Sequence, residues 1–323
     1  MGNEKEVCRS LRHKFSTTGW ALLLYYGIMT SAVMAISYFD VLFRLLSSGA
    51  DSMDAMYEAL DSITQNGWGY LISIAIGGVL LLLWKKKDFC FREIWRSEKP
   101  MRPGAFFSLF AIFFGIQALV QVMSALIEQL FNLFGASMME GVEQVSTTGD
   151  TFSMFLYVAI LAPITEEILF RGAILRTLQP YGKKFAILTS AFLFGIFHGN
   201  FIQTPYAFLM GLVLGYVTVE YSIGWAIFLH LFNNLVLVDM MDRLSELLPT
   251  AVGSLLTLTF IWGCAAAALV ILIVKWRQVW QYLTEKKMHP WCVKSFFTSP
   301  GVLVSSAIML GNILFSLLVE IFF

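Results

Sequence analysis

Nine apolar runs, most of them near the roughly 20 residues that a helix needs to cross hydrocarbon, constrain this chain more than any other feature. They fall at about 17–38, 66–84, 104–135, 151–178, 182–200, 204–221, 223–240, 251–274 and 301–323. Composition agrees with a membrane protein. Apolar residues make up 58% of the 323 and charged residues only 14%, against roughly 25% charged in soluble chains. A water-soluble fold of this size cannot bury so much apolar side chain, which excludes a soluble enzyme. Lys+Arg and Asp+Glu balance at 22 each, so no basic excess marks a nucleic-acid binder. The expected fold is all-α: a polytopic transmembrane helical bundle of about nine spans, or eight if one of the short runs does not cross.

The basic residues orient the bundle. With the N-terminus in the cytoplasm and nine crossings, Lys5, Arg9, Arg12 and Lys14 lie inside, as do Lys85, Lys86, Lys87, Arg92, Arg96, Lys99 and Arg102. So do Arg171, Arg176, Lys183 and Lys184, and then Lys275, Arg277, Lys286, Lys287 and Lys294. Only Arg44 and Arg243 fall elsewhere. The outer loops are acidic, with Asp51, Asp54, Glu58 and Asp61 in the first and Glu140, Glu143 and Asp150 in the second. The first run reads as an uncleaved span. Segment 40–65 is expected to lie on the outer surface as an amphipathic helix, and the aromatic, basic loop 85–102 at the inner headgroups. The four cysteines form no disulfide framework.

Charged groups inside spans cost roughly 2.5–3.5 kcal/mol each on insertion scales, so the few that occur demand a reason. They cluster between Pro163 and Asn234. Glu167 and Arg171 are four apart with the acid first, the favourable pairing order on a helix. Glu166 points about 100° away and is left without a built-in partner, and Pro163 predicts a kink just before the acids. A desolvated, unpaired carboxylate has a raised proton affinity and can serve as a general base or acid. Phe194 and His198 are four apart in the fifth run, and His230 and Asn234 four apart in the seventh. His13 and His289 are expected in surface loops, so both remaining histidines are intramembrane. Counting helical rise from the nearest turns puts Glu166, His198, His230 and Asn234 at overlapping depths.

No His-Glu-x-x-His, Gly-x-Ser-x-Gly or mid-span Asp pair is present, which sets aside three familiar protease chemistries. The ordered set Glu166-Glu167-x-x-x-Arg171, Phe194-x-x-x-His198 and His230-x-x-x-Asn234 resembles the three motifs of the CPBP (Abi) intramembrane proteases, which include the type II CAAX prenyl endopeptidases. The resemblance covers about residues 104–240, most firmly 160–236. It implies a catalytic core at 104–240, flanked by two-span regions at 1–103 and 241–323, and an active site inside the membrane. It also implies peptide-bond hydrolysis by a glutamate-activated water. Glu166 would be the base, Glu167 and Arg171 would hold its helix, and His198, His230 and Asn234 would complete the site. The implied partners are a membrane-associated peptide or protein substrate and the lipid bilayer, with no nucleic acid. The topology points to a bacterial plasma membrane, where a pheromone-like or bacteriocin-related peptide is a natural substrate.

Two chemical versions follow. Glu166, His198 and His230 can make a zinc site with one open position. In the metal-free version no cofactor is bound, and Asn234, a poor zinc ligand and a good donor, faces the oxyanion. Two non-protease readings stand beside these. One is a proton-coupled secondary transporter, which favours repeats and paired broken helices that the chain lacks. The other is a catalytically silent scaffold or bacteriocin-immunity factor of the same family.

Overall fold

A computed structural model describes residues 2–48, 66–85, 87–133, 151–240, 247–285 and 288–322. Among these the chain is helical, with no strand. Every one of the nine apolar runs is occupied by a helix. The first is α1 (Gly2–Ser48), followed by α2 (Trp68–Trp84) and α3 (Pro103–Asn132). The composite helix α4 spans Phe152–Tyr181. Then come α5 (Lys183–Phe197), α6 (Gln203–Glu220) and α7 (Ile223–Phe232), which widens into a π-helical segment at Asn233–Met240. The chain continues through α8 (Thr250–Val274), two short helices α9 (Trp276–Thr284) and α10 (Pro290–Phe297), and α11 (Pro300–Phe322). Among the described residues, five helices are long and apolar enough to cross a membrane by length and composition, and α2 and the segment Ile223–Val236 form shorter apolar helices.

The expected outer helix at 40–65 meets the described residues only at its start. Residues 40–48 continue α1, and residues 49–65, with the acidic groups expected there, lie outside the described residues, as do Glu140, Glu143 and Asp150. Loop 85–102 contains a wide helical turn at Phe89–Glu93. Cys90 and Ile94 of this loop are buried, while Phe91 and Trp95 are exposed.

The basic segments meet at one end of the bundle. Arg176 Nη2 donates to the Arg96 carbonyl at 2.9 Å, and Glu98 N–H to the Tyr221 carbonyl at 2.8 Å. Glu220 receives Lys99 and Lys183, each at 3.0 Å. Lys184 Nζ reaches the Leu283 carbonyl and Arg12 Nη2 the Thr298 carbonyl. Four basic stretches far apart in sequence thus share one face, as charge segregation across a bilayer requires.

At the centre, α5 and α6 run against each other and α4 crosses them. Gly211 and Gly215 allow this approach. A methyl group at Gly211 would lie 3.1 Å from Ala191, and one at Gly215 3.2 Å from Ile187. Phe170, Phe194 and Phe197 stack edge to face between α4 and α5, at 5.1 and 5.3 Å from Phe170. This aromatic wedge belongs to the larger apolar core, which also takes in Phe15, Leu22 and Phe296 from the flanking helices. A second core, Phe113 and Phe114 with Met210, Leu214 and Leu229, joins α3 to α6 and α7.

Candidate active site

The site is assembled on α4, α5 and α7. Helix α4 does not keep α geometry. It changes from π-helical turns at Leu156–Leu161 to a short α segment at Ala162–Glu166 and back to π-helical turns at Glu167–Leu175. Pro163 lacks the N–H that an unbroken ladder needs, and the expected irregularity ahead of the acids takes this form. π-Helical turns inside α-helices are frequent at functional sites. The junction falls between Glu166 and Glu167, so neighbouring carboxylates occupy different surroundings.

Glu167 and Arg171 are both fully buried, and Arg171 Nη1 donates to Glu167 Oε1 at 2.9 Å. The i, i+4 pair expected from sequence is therefore formed. Glu167 has a second partner that helix spacing did not reveal. His230 Nδ1 lies 2.9 Å from the same oxygen. A carboxylate accepts only, so Nδ1 carries the proton and donates it. This orients the other ring nitrogen: His230 Nε2 lies 3.8 Å from Glu166 Oε2. Glu166, expected to be unpaired, thus shares an imidazole with its neighbour, and its side chain remains 17% exposed.

His198 terminates α5, followed by Gly199 at φ +68°, a conformation that glycine adopts without steric cost. His198 Nδ1 lies 2.8 Å from the Phe194 carbonyl. That carbonyl can only accept, so His198 also keeps its proton on Nδ1. Phe194 is the packing hub. The Arg171 guanidinium lies over its face at 4.1 Å from the ring centre. His198 and His230 meet the same ring at 4.7 and 5.9 Å, both edge to face.

Asn234 begins one turn beyond His230. Its Nδ2 donates to the Val158 carbonyl on α4 at 2.9 Å, and its Oδ1 accepts from Asn233 Nδ2 at 3.1 Å. Asn233 is itself buried and connects the site to α3 and α6. Gln117 Nε2 donates to Asn233 Oδ1 at 2.7 Å and the Tyr206 hydroxyl to the same oxygen at 3.0 Å. Sequence reading missed Asn233, Gln117 and Tyr206. Gln117, a polar residue within the 104–135 apolar run, was the available signal. His13 and His289 are both exposed, and His289 lies between helices as expected, but His13 sits on α1 and not in a loop, because α1 begins well before the apolar run.

The zinc version asks Glu166, His198 and His230 to converge on one point. Each imidazole has its Nδ1 committed, leaving only Nε2 for a metal. Among the described residues no group of three His, Cys, Asp or Glu side chains is gathered closely enough to hold a metal ion, while a histidine whose Nδ1 is bonded to a carboxylate or carbonyl is oriented as zinc-bound histidines are.

Fold and site together define a polytopic helical membrane protein whose polar centre offers two carboxylates, two imidazoles and an amide. Residues 148–236 match the family model described as type II CAAX prenyl endopeptidase Rce1-like. That stretch, a little over a quarter of the chain, is related to the CPBP (Abi) group, a protease family, and contains all seven motif residues from Glu166 to Asn234. Searches of curated proteins and of solved structures gave no match.

Proposed function

We propose that this protein is an intramembrane endopeptidase that hydrolyses a peptide bond of a membrane-associated peptide or protein, with Glu166 as general base. The observation that carries the reading is His230 standing between two carboxylates, 2.9 Å from Glu167 and 3.8 Å from Glu166. Glu167 is spent on Arg171 and His230, whereas Glu166 keeps exposure and is available to a water. Glu166 accepts a proton from that water as the water oxygen bonds to the substrate carbonyl carbon. The resulting oxyanion is met by the amide of Asn234, which holds a second N–H beyond the one given to Val158. The C–N bond then breaks, the leaving amine takes the proton from Glu166, and the carboxylate is restored. His198 and His230, each with Nε2 free of its fixed Nδ1 bond, line the path of that proton.

Several features support the remaining assignments. The family's description, type II CAAX prenyl endopeptidase, makes a lipidated C-terminal peptide the first substrate class to try, with a bacterial pheromone-like peptide as the second. The end where the basic segments meet is assigned to the cytoplasm by the positive-inside rule, in a bacterial plasma membrane. The three-region division at 1–103, 104–240 and 241–323 follows from the position of the motifs.

The test is cleavage of quenched-fluorescent peptides, with and without a farnesyl thioether on cysteine, by purified protein in proteoliposomes. Glu166→Gln should reduce turnover by about 10²–10⁴-fold with an unchanged melting temperature. Equal activity of wild type and Glu166→Gln, or activity in neither, would sink the assignment. Cysteine introduced near residue 90 should resist an impermeant label in intact cells; ready labelling there reverses the orientation.

A further inference from the structure

We infer that Asn233 is a positioning residue, which fixes the orientation of the Asn234 side-chain amide so that an N–H, not the C=O, faces the reacting carbonyl. The inference rests on the protease reading above and adds a device to it. A primary amide has two ends of nearly equal shape, one donating and one accepting, and nothing in its size decides which end faces where. An oxyanion is stabilised only by the donating end.

The orientation is anchored at a group that cannot turn over. Ala162 N–H bonds the Tyr157 carbonyl, five residues back, at the end of the π-helical turns of α4. By the same step the Val158 carbonyl would take the N–H of residue 163, which is a proline and has none. Pro163 thereby leaves a carbonyl facing inward, and buried carbonyls are seldom left unpaired. The Asn234 Nδ2 group bonds it at 2.9 Å. With Nδ2 on Val158, Oδ1 of Asn234 must turn to Asn233, and it accepts Asn233 Nδ2 at 3.1 Å.

The far side of Asn233 enforces the same polarity. Its Oδ1 receives two donors, Gln117 Nε2 at 2.7 Å and the Tyr206 hydroxyl at 3.0 Å. Gln117 Nε2 also lies 3.2 Å from the Tyr206 oxygen, which closes a triangle across α3, α6 and α7. Turning Asn234 over would set its oxygen against the Val158 carbonyl. It would also set one Nδ2 group against the other unless Asn233 turned over too, and then two donors would face the Asn233 amide nitrogen. The whole chain holds one polarity. It begins at Pro163 and ends at Gln117, a residue outside the stretch matched by the family model.

The test is a double-mutant cycle read by kinetics in proteoliposomes with the farnesylated peptide. Asn233→Leu removes the donor to Asn234 at near-constant volume and should lower kcat by about 10–100-fold, below the 10²–10³-fold loss of an oxyanion donor itself, with KM unchanged. In an Asn234→Ala background the same substitution should cost nothing further, because its effect runs through Asn234. Tyr206→Phe, the mildest change, removes one of two donors and should give a loss of a few-fold; it serves if Asn233→Leu does not fold. Additive losses in the cycle, or a rise in KM at constant kcat, overturn the inference. A second readout does not need activity. In protein labelled with ¹⁵N-asparagine, the Asn234 side-chain amide should be protected from hydrogen exchange, and Gln117→Leu or Tyr206→Phe should speed that exchange. Unchanged protection in both variants overturns the inference even where the wild type cleaves, whereas protection lost in a protein that cleaves no peptide condemns the protease reading alone.

Discussion

Helices α4 and α8 are both long enough to span a bilayer, yet their surroundings are opposite. Between Glu167 and Leu175 of α4 every residue except Ile168 is buried. In α8 the buried positions are Gly253, Ile261 and Ala268, seven or eight residues apart and therefore on one narrow stripe. Phe260 and Cys264 beside that stripe pack on the α3 core, and most of the rest of α8 faces outward with Leu, Val and Trp. Of the two, only α4 carries charges within its apolar run, and Glu167 and Arg171 lie where protein surrounds them on all sides. Lipid tails are as apolar as leucine, so an outward-facing helix gains little from specific packing, while an ionisable group is tolerated only where partners replace water. A helix of the first kind can change sequence freely within apolar residues, and one of the second kind cannot.

The strongest test of this contrast removes a buried charge. Arg171→Met leaves Glu167 ionised beside His230 with its main partner gone, and should destabilise by about 3–5 kcal/mol, the cost of breaking a buried pair. Glu167→Gln should destabilise on the same scale because Arg171 is left charged. The double variant should cost less than the sum of the two, measured as unfolding in mixed detergent micelles. Additive losses would mean that the pair does not act as a unit.

Next comes the packing hub. Phe194→Ala opens a cavity under Arg171 and both imidazoles and should cost about 3 kcal/mol. Phe194→Leu should recover a good part of the melting temperature but less of the activity, since a branched aliphatic cannot hold two rings edge to face. Full recovery of both would reduce Phe194 to a space filler.

Exposed charges sharpen the comparison from the other side. At the basic end, burial alone pulls Lys99 down. The hydrogen bond and charge of Glu220, with the charges of Tyr221 and Tyr216 behind them, nevertheless hold it above the ordinary lysine value. Because the folded-state value is raised, the stabilisation is full below the unfolded value, roughly pH 10.4, and is lost as pH rises through the folded value. Lys99 is nearly half exposed, so the effect of Glu220→Gln should be at most about 1 kcal/mol at pH 8. It should shrink as pH rises through the folded value; a gap that widens with pH would contradict the pairing.

The smallest effect is expected on α8. Leu255 is 65% exposed, and Leu255→Ala should change stability by less than about 0.5 kcal/mol. A loss like that at Phe194 would show that this face is covered by protein, not lipid.

Much of this architecture was legible one residue at a time. The nine apolar runs located the helices because the length that crosses hydrocarbon is a property of sequence. The i, i+4 spacings located Glu167–Arg171 and the packing of Phe194 on His198, because partners one turn apart are determined by helix geometry alone. Glu166 was singled out correctly as the carboxylate without a helical partner. Its contact with His230 was not visible, since 64 residues separate the two in sequence and only the crossing of α4 and α7 brings them together.

The amide chain shows where sequence stops. Pro163 announced a missing N–H, and Asn234 announced a donor, but nothing along the chain linked them. Local spacing determines which groups share a helix face and which backbone bonds cannot form. The choice of partner for a freed carbonyl, or for the second nitrogen of an imidazole, depends on how helices tilt and cross, and that is decided by the packing of Phe113, Phe114, Phe170, Phe194 and their neighbours. The sequence determined a helical membrane bundle and the identity of its polar residues. Tertiary structure alone decided that Glu167 serves His230 as well as Arg171, and that Asn233, Gln117 and Tyr206 stand behind Asn234, because hydrogen bonds between helices are short-ranged and exist only once the helices are in place.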